Sequence, residues 1–419
     1  MHRQIQDIVN KTAVGHTPHN QTNTNRVQKE RVMIIRSLVG KQIIYTMITA
    51  FVALATMFLI PQAYGAPDFY VTDNGTDPAG TSWTQPTSLT NALAIATTSN
   101  VIWMASGTYI NASTFTISTN GLQIYGGFAG TETLLAERDL ANNEVLLDGD
   151  AAHCVVDIQA DDVLLDGLII TNGYEALAYG AGIRMNDSGA DLTMLNCRVV
   201  GNHHYVNQRY GGGAYFYNAG NVVVSNCVFQ GNWSNNRGFG IGFYSRGTTL
   251  TLLDSEIRGN YSTGDQRPGK GFYLYDGTLT MVRCTVADNY MADDDSGPGA
   301  GGYINNGTAS FTNCVFTGNL GTRSDGSGLY VANGNVAIES CTFADNRGRT
   351  DHSSPEGGAI YQAAGTVTIR NSIFWDNQAG NDGNDGDTKI PRTECQCRQT
   401  PLQGFVPHTL ISCLYESLL

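Results

Sequence analysis

Apolar residues two apart recur along most of this chain, and the runs return at a nearly constant interval. Leu192-Thr-Met194, Val222-Val-Val224, Leu250-Thr-Leu252, Leu279-Thr-Met281, Val336-Ala-Ile338 and Val367-Thr-Ile369 each alternate apolar residues with a small or neutral one. A period of two is that of a half-buried strand. Each run leads into a copy of one short phrase. The seven copies read Asn196-Cys-Arg-Val-Val-Gly-Asn202, Asn226-Cys-Val-Phe-Gln-Gly-Asn232, Asp254-Ser-Glu-Ile-Arg-Gly-Asn260, Arg283-Cys-Thr-Val-Ala-Asp-Asn289, Asn313-Cys-Val-Phe-Thr-Gly-Asn319, Ser340-Cys-Thr-Phe-Ala-Asp-Asn346 and Asn371-Ser-Ile-Phe-Trp-Asp-Asn377. Their closing asparagines lie 30, 28, 29, 30, 27 and 31 residues apart. A period in this range signals a solenoid, in which each unit buries its apolar face only against its neighbours.

The units are strands. A helical repeat needs apolar spacings of three and four on a helix-forming background, and here Gly, Asn and Thr dominate. The predicted fold class is all-β, a parallel β-helix whose coils stack about 4.8 Å apart, giving a rod of roughly 40 Å or more. The closing asparagines are expected at bends, in the left-handed conformation that Asn tolerates, and stacked into a ladder of side-chain amides. Cys197, Cys227, Cys284, Cys314 and Cys341 form one column, with Ser255 and Ser372 in its gaps. That exchange predicts small, buried, inward-facing thiols; disulfides between coils and a metal site are the alternatives. Cys395-Gln-Cys397 lacks zinc spacing.

Five segments follow. Residues 1–32 are a polar leader, with Met33 a candidate start. Residues 33–65 read as a secretory signal peptide: Arg36 and Lys41, an apolar stretch from Ile43 to Ile60, then Ala63-Tyr-Gly65 with cleavage after Gly65. An uncleaved membrane anchor is the alternative. Residues 66–150 hold an N-terminal cap and the first coils. In the cap, Leu89, Ala92, Leu93 and Ala96 share one face of a helix able to cover the open end of the solenoid. Trp103 is expected in core packing. Residues 151–387 are the β-helix repeats. Residues 388–419 carry three prolines, three cysteines and no repeat, and read as a truncated or frame-shifted tail whose continuation held further coils and an anchor.

The chain carries 24 basic and 37 acidic side chains, a formal charge of −13. Such a balance, with scattered Lys and Arg, argues against nucleic acid as a partner. With the coils in view, the chain resembles the right-handed parallel β-helix repeat proteins of bacterial surfaces, and more narrowly the polymorphic outer membrane protein group. Gly357-Gly-Ala-Ile360 matches that group's GGAI motif, with variants at Gly211-Gly-Gly-Ala214, Gly180-Ala-Gly-Ile183 and Gly301-Gly-Tyr-Ile304. Phe229 to Asn232, Phe316 to Asn319, Phe343 to Asn346 and Phe374 to Asn377 match its FxxN motif. The resemblance implies a right-handed helix, secretion or display on the outer cell surface, and a role in adhesion.

No catalytic, cofactor-binding or metal residue is assigned from the sequence. A polysaccharide-degrading lyase or glycosidase of the pectate-lyase-like type is the alternative function, and fold alone cannot decide it. Such an enzyme would need clustered carboxylates beside a base, or two carboxylates about 5–10 Å apart. Asp161-Asp162 and Asp293-Asp-Asp295 are acidic runs without the rest. Asp382, Asp385 and Asp387 sit in a Gly-Asp-rich stretch that could ligate calcium. The better lead is the variable insert after each closing Asn (203–210, 233–237, 261–268, 290–298, 320–327 and 347–356). These inserts carry Tyr205, Tyr210, Trp233, Tyr261 and Tyr290, able either to bind or simply to lie on the coil. An extracellular glycan or a protein on a host or neighbouring cell is the expected partner. Membrane contact is expected only through the signal peptide or a missing C-terminal anchor.

Overall fold

The computed structural model describes residues 66–378 except 176–178, 187–188, 206–208, 236–237, 264–266, 292–296, 322–324 and 349–356, with the dipeptides 388–389, 398–399 and 411–412. All belong to the unit Gly65–Leu419. The signal peptide, Asp293 to Asp295, the calcium candidates Asp382, Asp385 and Asp387, and most of the tail lie outside the described residues.

Each coil is three parallel strands followed by a two-residue step. A first arm (Ala214–Tyr217 in one coil) turns into a second arm (Asn221–Ser225), and both belong to a nineteen-stranded sheet. The third strand (Val228–Gln230) joins a twelve-stranded sheet, in which ten successive strands from Gly107–Ile110 to Ile373–Trp375 run parallel. The step (Trp233–Ser234) belongs to a seven-stranded ladder. Alternation follows the reading from sequence: in Thr249–Leu253, Leu250 and Leu252 are buried and Thr249 is exposed. One continuous core runs through the coils, from Val71 to Phe374.

The asparagine ladder is present. Each Nδ2 donates to the next Oδ1, from Asn202 to Asn232 at 3.1 Å through Asn346 to Asn377 at 2.8 Å. The same Oδ1 accepts the backbone N–H of the previous ladder residue, as Asn260 does from Asn232 at 3.1 Å. The left-handed conformation, however, is not theirs. It falls one residue earlier, at Gly201, Gly231, Gly259, Asp288, Gly318, Asp345 and Asp376, and again at the first residue of each phrase, such as Asn226 and Arg283. The bend and the amide ladder need different backbones, so adjacent residues divide the two tasks.

The cysteine column is buried and the thiols are free. Cys227 Sγ donates to the Ser225 carbonyl at 3.3 Å, and the Cys227 N–H donates to Ser255 Oγ at 3.1 Å. Serine substitutes because the position asks for a small donor and acceptor between coils. Burial and the bond to Cys197 push the Cys227 thiol up.

At the N-terminal end, Leu89–Ile95 is the expected helix, α1. Ser88 caps it by accepting the Asn91 N–H at 3.2 Å, and Leu89 and Ala92 are buried against the first strands. Trp103 is fully buried but on the outer face of its strand, stacked on Phe128 at 4.5 Å and beside Tyr70. Among the described residues no helix is long and apolar enough to cross a membrane.

Candidate binding face

The first arm begins at a Gly-x-Gly step: Gly211 to Gly213, Gly240 to Gly242, Gly269 to Gly271, Gly299 to Gly301 and Gly326 to Gly328. The leading glycine is left-handed, at φ 55° in Gly240. The trailing glycine has no room for a side chain: a Cβ on Gly242 would collide with the Gly271 carbonyl and lie 3.0 Å from Asn260 Nδ2. In strand register Ile360 pairs with Leu329, which pairs with Gly302. The variant read at Gly301-Gly-Tyr-Ile304 is therefore two residues out of step with the other copies.

Correct register exposes a row that the asparagine phrase hid. Tyr215, Tyr244, Tyr273, Tyr303, Tyr330 and Tyr361 are partners in successive first arms, all on the outer face. Their rings stack with centroids 5.5, 5.2, 4.9, 5.1 and 5.0 Å apart. This matches the strand spacing of a parallel sheet. Offset stacking adds about 0.5–1.5 kcal/mol per pair beyond burial. Tyr179 extends the stack at 5.0 Å from Tyr215.

The row is graded. Tyr215, Tyr244 and Tyr273 are buried in a cluster of their own, outside the coil interior; Tyr303, Tyr330 and Tyr361 are half-buried. The covering groups come from the inserts. Tyr210 lies 4.5 Å from Tyr244 and stacks on Phe239 at 4.7 Å, and Arg267 sits 5.0 Å over Phe239. Burial pushes the phenols of Tyr215, Tyr244 and Tyr273 up, Tyr273 to about 12.

One column further along the arm, Arg246 pairs in register between Tyr217 and Tyr275. Its guanidinium carbon is 5.2 Å from one ring centroid and 4.8 Å from the other. Where the row begins, Asp157 and Arg184 hold its register. They are joined by two bonds of 2.9 Å, and Gln159 adds a third to the carboxylate at 2.8 Å. Asp157, Ile158, Gln159, Arg184 and Asn186 line a recess of about 390 Å³.

The insert aromatics divide. Tyr210 joins the cluster above, whereas Tyr205 is exposed. Trp233, Tyr261 and Tyr290 are not loop residues but members of the seven-stranded ladder, with His203 at the same position. His203 and Trp233 stack at 4.5 Å, and Tyr261 and Tyr290 at 4.9 Å. Each inner ring of this ladder stacks on its neighbours, as Trp233 does on Tyr261 at 6.2 Å. Asp161 and Asp162 lie in a turn, where Asp161 accepts the N–H groups of Asp162 and Asp191. Among the described residues no three His, Cys, Asp or Glu side chains converge as metal ligands would.

Residues 139–316 match the family model described as the right handed beta helix region. The fold is a right-handed parallel β-helix. A solved structure, the crystal structure of pectate lyase Pel9A, is similar at 15% identity and a TM-score of 0.46, over 73% of this chain and 77% of that one. No curated protein matches the chain.

Proposed function

We propose that the protein is an exported, surface-displayed β-helix whose outer tyrosine row holds an extracellular partner in adhesion. The observation that carries this reading is the row itself. It runs through six successive coils on the outer face, where the coil interior has no need of aromatic rings. Tyr210 packs on the row's first half, and Tyr303, Tyr330 and Tyr361 are half-buried. Stacked phenol edges present apolar carbon and hydroxyl together, a mixture suited to glycans and to protein surfaces. Export is supported by the apolar stretch from Ile43 to Ile60, closed by Ala63-Tyr-Gly65.

The test immobilises the full-length protein and measures retention of whole cells and of a panel of extracellular glycans. Replacing Tyr303, Tyr330 and Tyr361 together by Ala should lower retention at least about tenfold, the weight of roughly 1.4 kcal/mol. Equal retention by the triple variant would remove the row from function; no retention by the wild type would remove the adhesion reading.

A polysaccharide-degrading activity is the second reading, and the recess at Asp157 and Arg184 is what favours it. The same samples, assayed for new reducing ends or unsaturated sugars, decide the matter. Turnover abolished by Asp157→Asn would make the protein an enzyme.

A further inference from the structure

In this acidic chain the described arginines are mostly matched to carboxylates. Arg138 pairs with Asp166, Arg184 with Asp157, Arg198 with Glu144, Arg258 with Glu256, Arg283 with Asp254 and Arg347 with Asp376. Arg246, Arg267 and Arg370 have no carboxylate partner among the described residues, and the first two sit on the tyrosine face. Arg246 is clamped between Tyr217 and Tyr275, and Arg267 lies over Phe239 with its Nε buried and without a hydrogen-bond partner.

The two are linked through packed rings. Phe239 lies 4.7 Å from Tyr210, Tyr210 4.5 Å from Tyr244, and Tyr217 5.9 Å from Tyr215, which stacks on Tyr244. On the other side Tyr275 lies 6.4 Å from Tyr273, and Tyr273 5.6 Å from Phe239. The guanidiniums thus flank one aromatic cradle. Held between two rings, Arg246 has lost its rotamer freedom before any ligand arrives, so its planar donor fork is preorganised. A carboxylate answers that fork with two parallel bonds. The half-buried phenols of Tyr303 and Tyr330 continue from the cradle at about 5 Å intervals. That interval is close to the advance per sugar of an extended pyranose chain.

We infer that Arg246, with Arg267 across the ring cluster from it, is the carboxylate-binding subsite of a cradle for a uronate-bearing glycan. The inference rests on the adhesion reading and names its ligand class. Carboxylates recurring along the glycan can engage Arg246 while neighbouring sugars lie against Tyr303 and Tyr330.

The test uses the full-length protein in affinity electrophoresis through polygalacturonate, its fully methyl-esterified form, dextran sulfate and poly-glutamate. Wild type should be retarded by polygalacturonate, less so as salt rises, and at least about tenfold less by the methyl ester. Arg246→Gln should weaken polygalacturonate binding about 10- to 100-fold. Arg246→Lys, which keeps the charge but not the fork, should fall between. Unchanged melting temperatures separate loss of binding from loss of fold. Equal retardation of Arg246→Gln and wild type overturns the inference, as does wild-type binding to dextran sulfate or poly-glutamate alone. Binding of acid and ester forms alike, lost only in the Tyr303/Tyr330/Tyr361 variant, overturns this subsite while leaving the adhesion reading intact.

Discussion

Asn260 lies fully buried near the middle of the amide ladder, and its replacement by alanine should be among the most damaging single changes. Its Nδ2 donates to the Phe229 carbonyl at 3.0 Å and to Asn289 Oδ1 at 2.9 Å; its Oδ1 accepts from the Asn232 backbone N–H at 3.1 Å and from Asn232 Nδ2 at 3.0 Å. Not all four losses are equal. Asn289 Oδ1 keeps the Asn260 backbone N–H, and Asn232 Nδ2 keeps the Val199 carbonyl. The Phe229 carbonyl stays in the strand ladder, where Gln230 pairs with Arg258, so the Asn232 N–H alone loses its partner inside the coil. A buried group left unpaired costs about 1–3 kcal/mol, so Asn260→Ala should cost at least about that much. That is a large share of the roughly 5–15 kcal/mol that holds a domain folded. Coils hold mainly through their neighbours, so the loss should also divide the solenoid into two weakly coupled blocks. In urea unfolding followed by circular dichroism, the midpoint should fall and the transition broaden. Thr249→Ala, at an exposed position on the second arm, should stay within about 0.5 kcal/mol. If Asn260→Ala also stays within about 0.5 kcal/mol of wild type, the ladder is not what holds successive coils together.

Two further outcomes follow from the same geometry. Burial raises the folded pKa of Tyr273 to about 12, and of Tyr109, Tyr215, Tyr244 and Tyr303 further, above the unfolded value of 10.0. The native state therefore keeps protons that the unfolded chain releases. This stability is complete below pH 10 and is lost as pH rises from there towards the folded values; a melting temperature that is level between pH 10 and 12 would contradict it. Gly242→Ala should cost at least about 2 kcal/mol, because backbone of the next coil occupies the position of its Cβ. A melting temperature equal to wild type would show that the coils can move apart there at little cost.

The interior of this solenoid was legible in its sequence because every coil repeats one environment. Cys227 and Cys284 could be read as a buried column, and Asn232 and Asn260 as a ladder, because Ser255 alone replaces Cys between them and the asparagines never vary. Backbone conformation was less legible. Asn, Asp and Gly all tolerate the left-handed region, so the pattern could not separate the turn at Gly231 from the ladder residue Asn232. The tyrosine row was also in the letters. Tyr215 to Tyr361 recur at intervals of 29, 29, 30, 27 and 31 residues. Reading Gly301-Gly-Tyr-Ile304 as a copy of the glycine motif shifted one coil by two residues, which separates Tyr303 from its partners.

Arg246 belongs to a different class of information. Nothing in its local sequence distinguishes it from an ordinary surface arginine; only the rings one coil above and one coil below give it a fixed direction. Inward columns answer to the coils next to them, so selection for folding keeps them uniform. Outward columns are released from that demand. A residue that interrupts one, as Arg246 does between Tyr217 and Tyr275 or Asp157 and Arg184 do at the head of the tyrosine row, is not required by stacking. In a repeat protein the departures from periodicity on an outer face are therefore the first places to look for recognition. Here they meet on one arm of the coil.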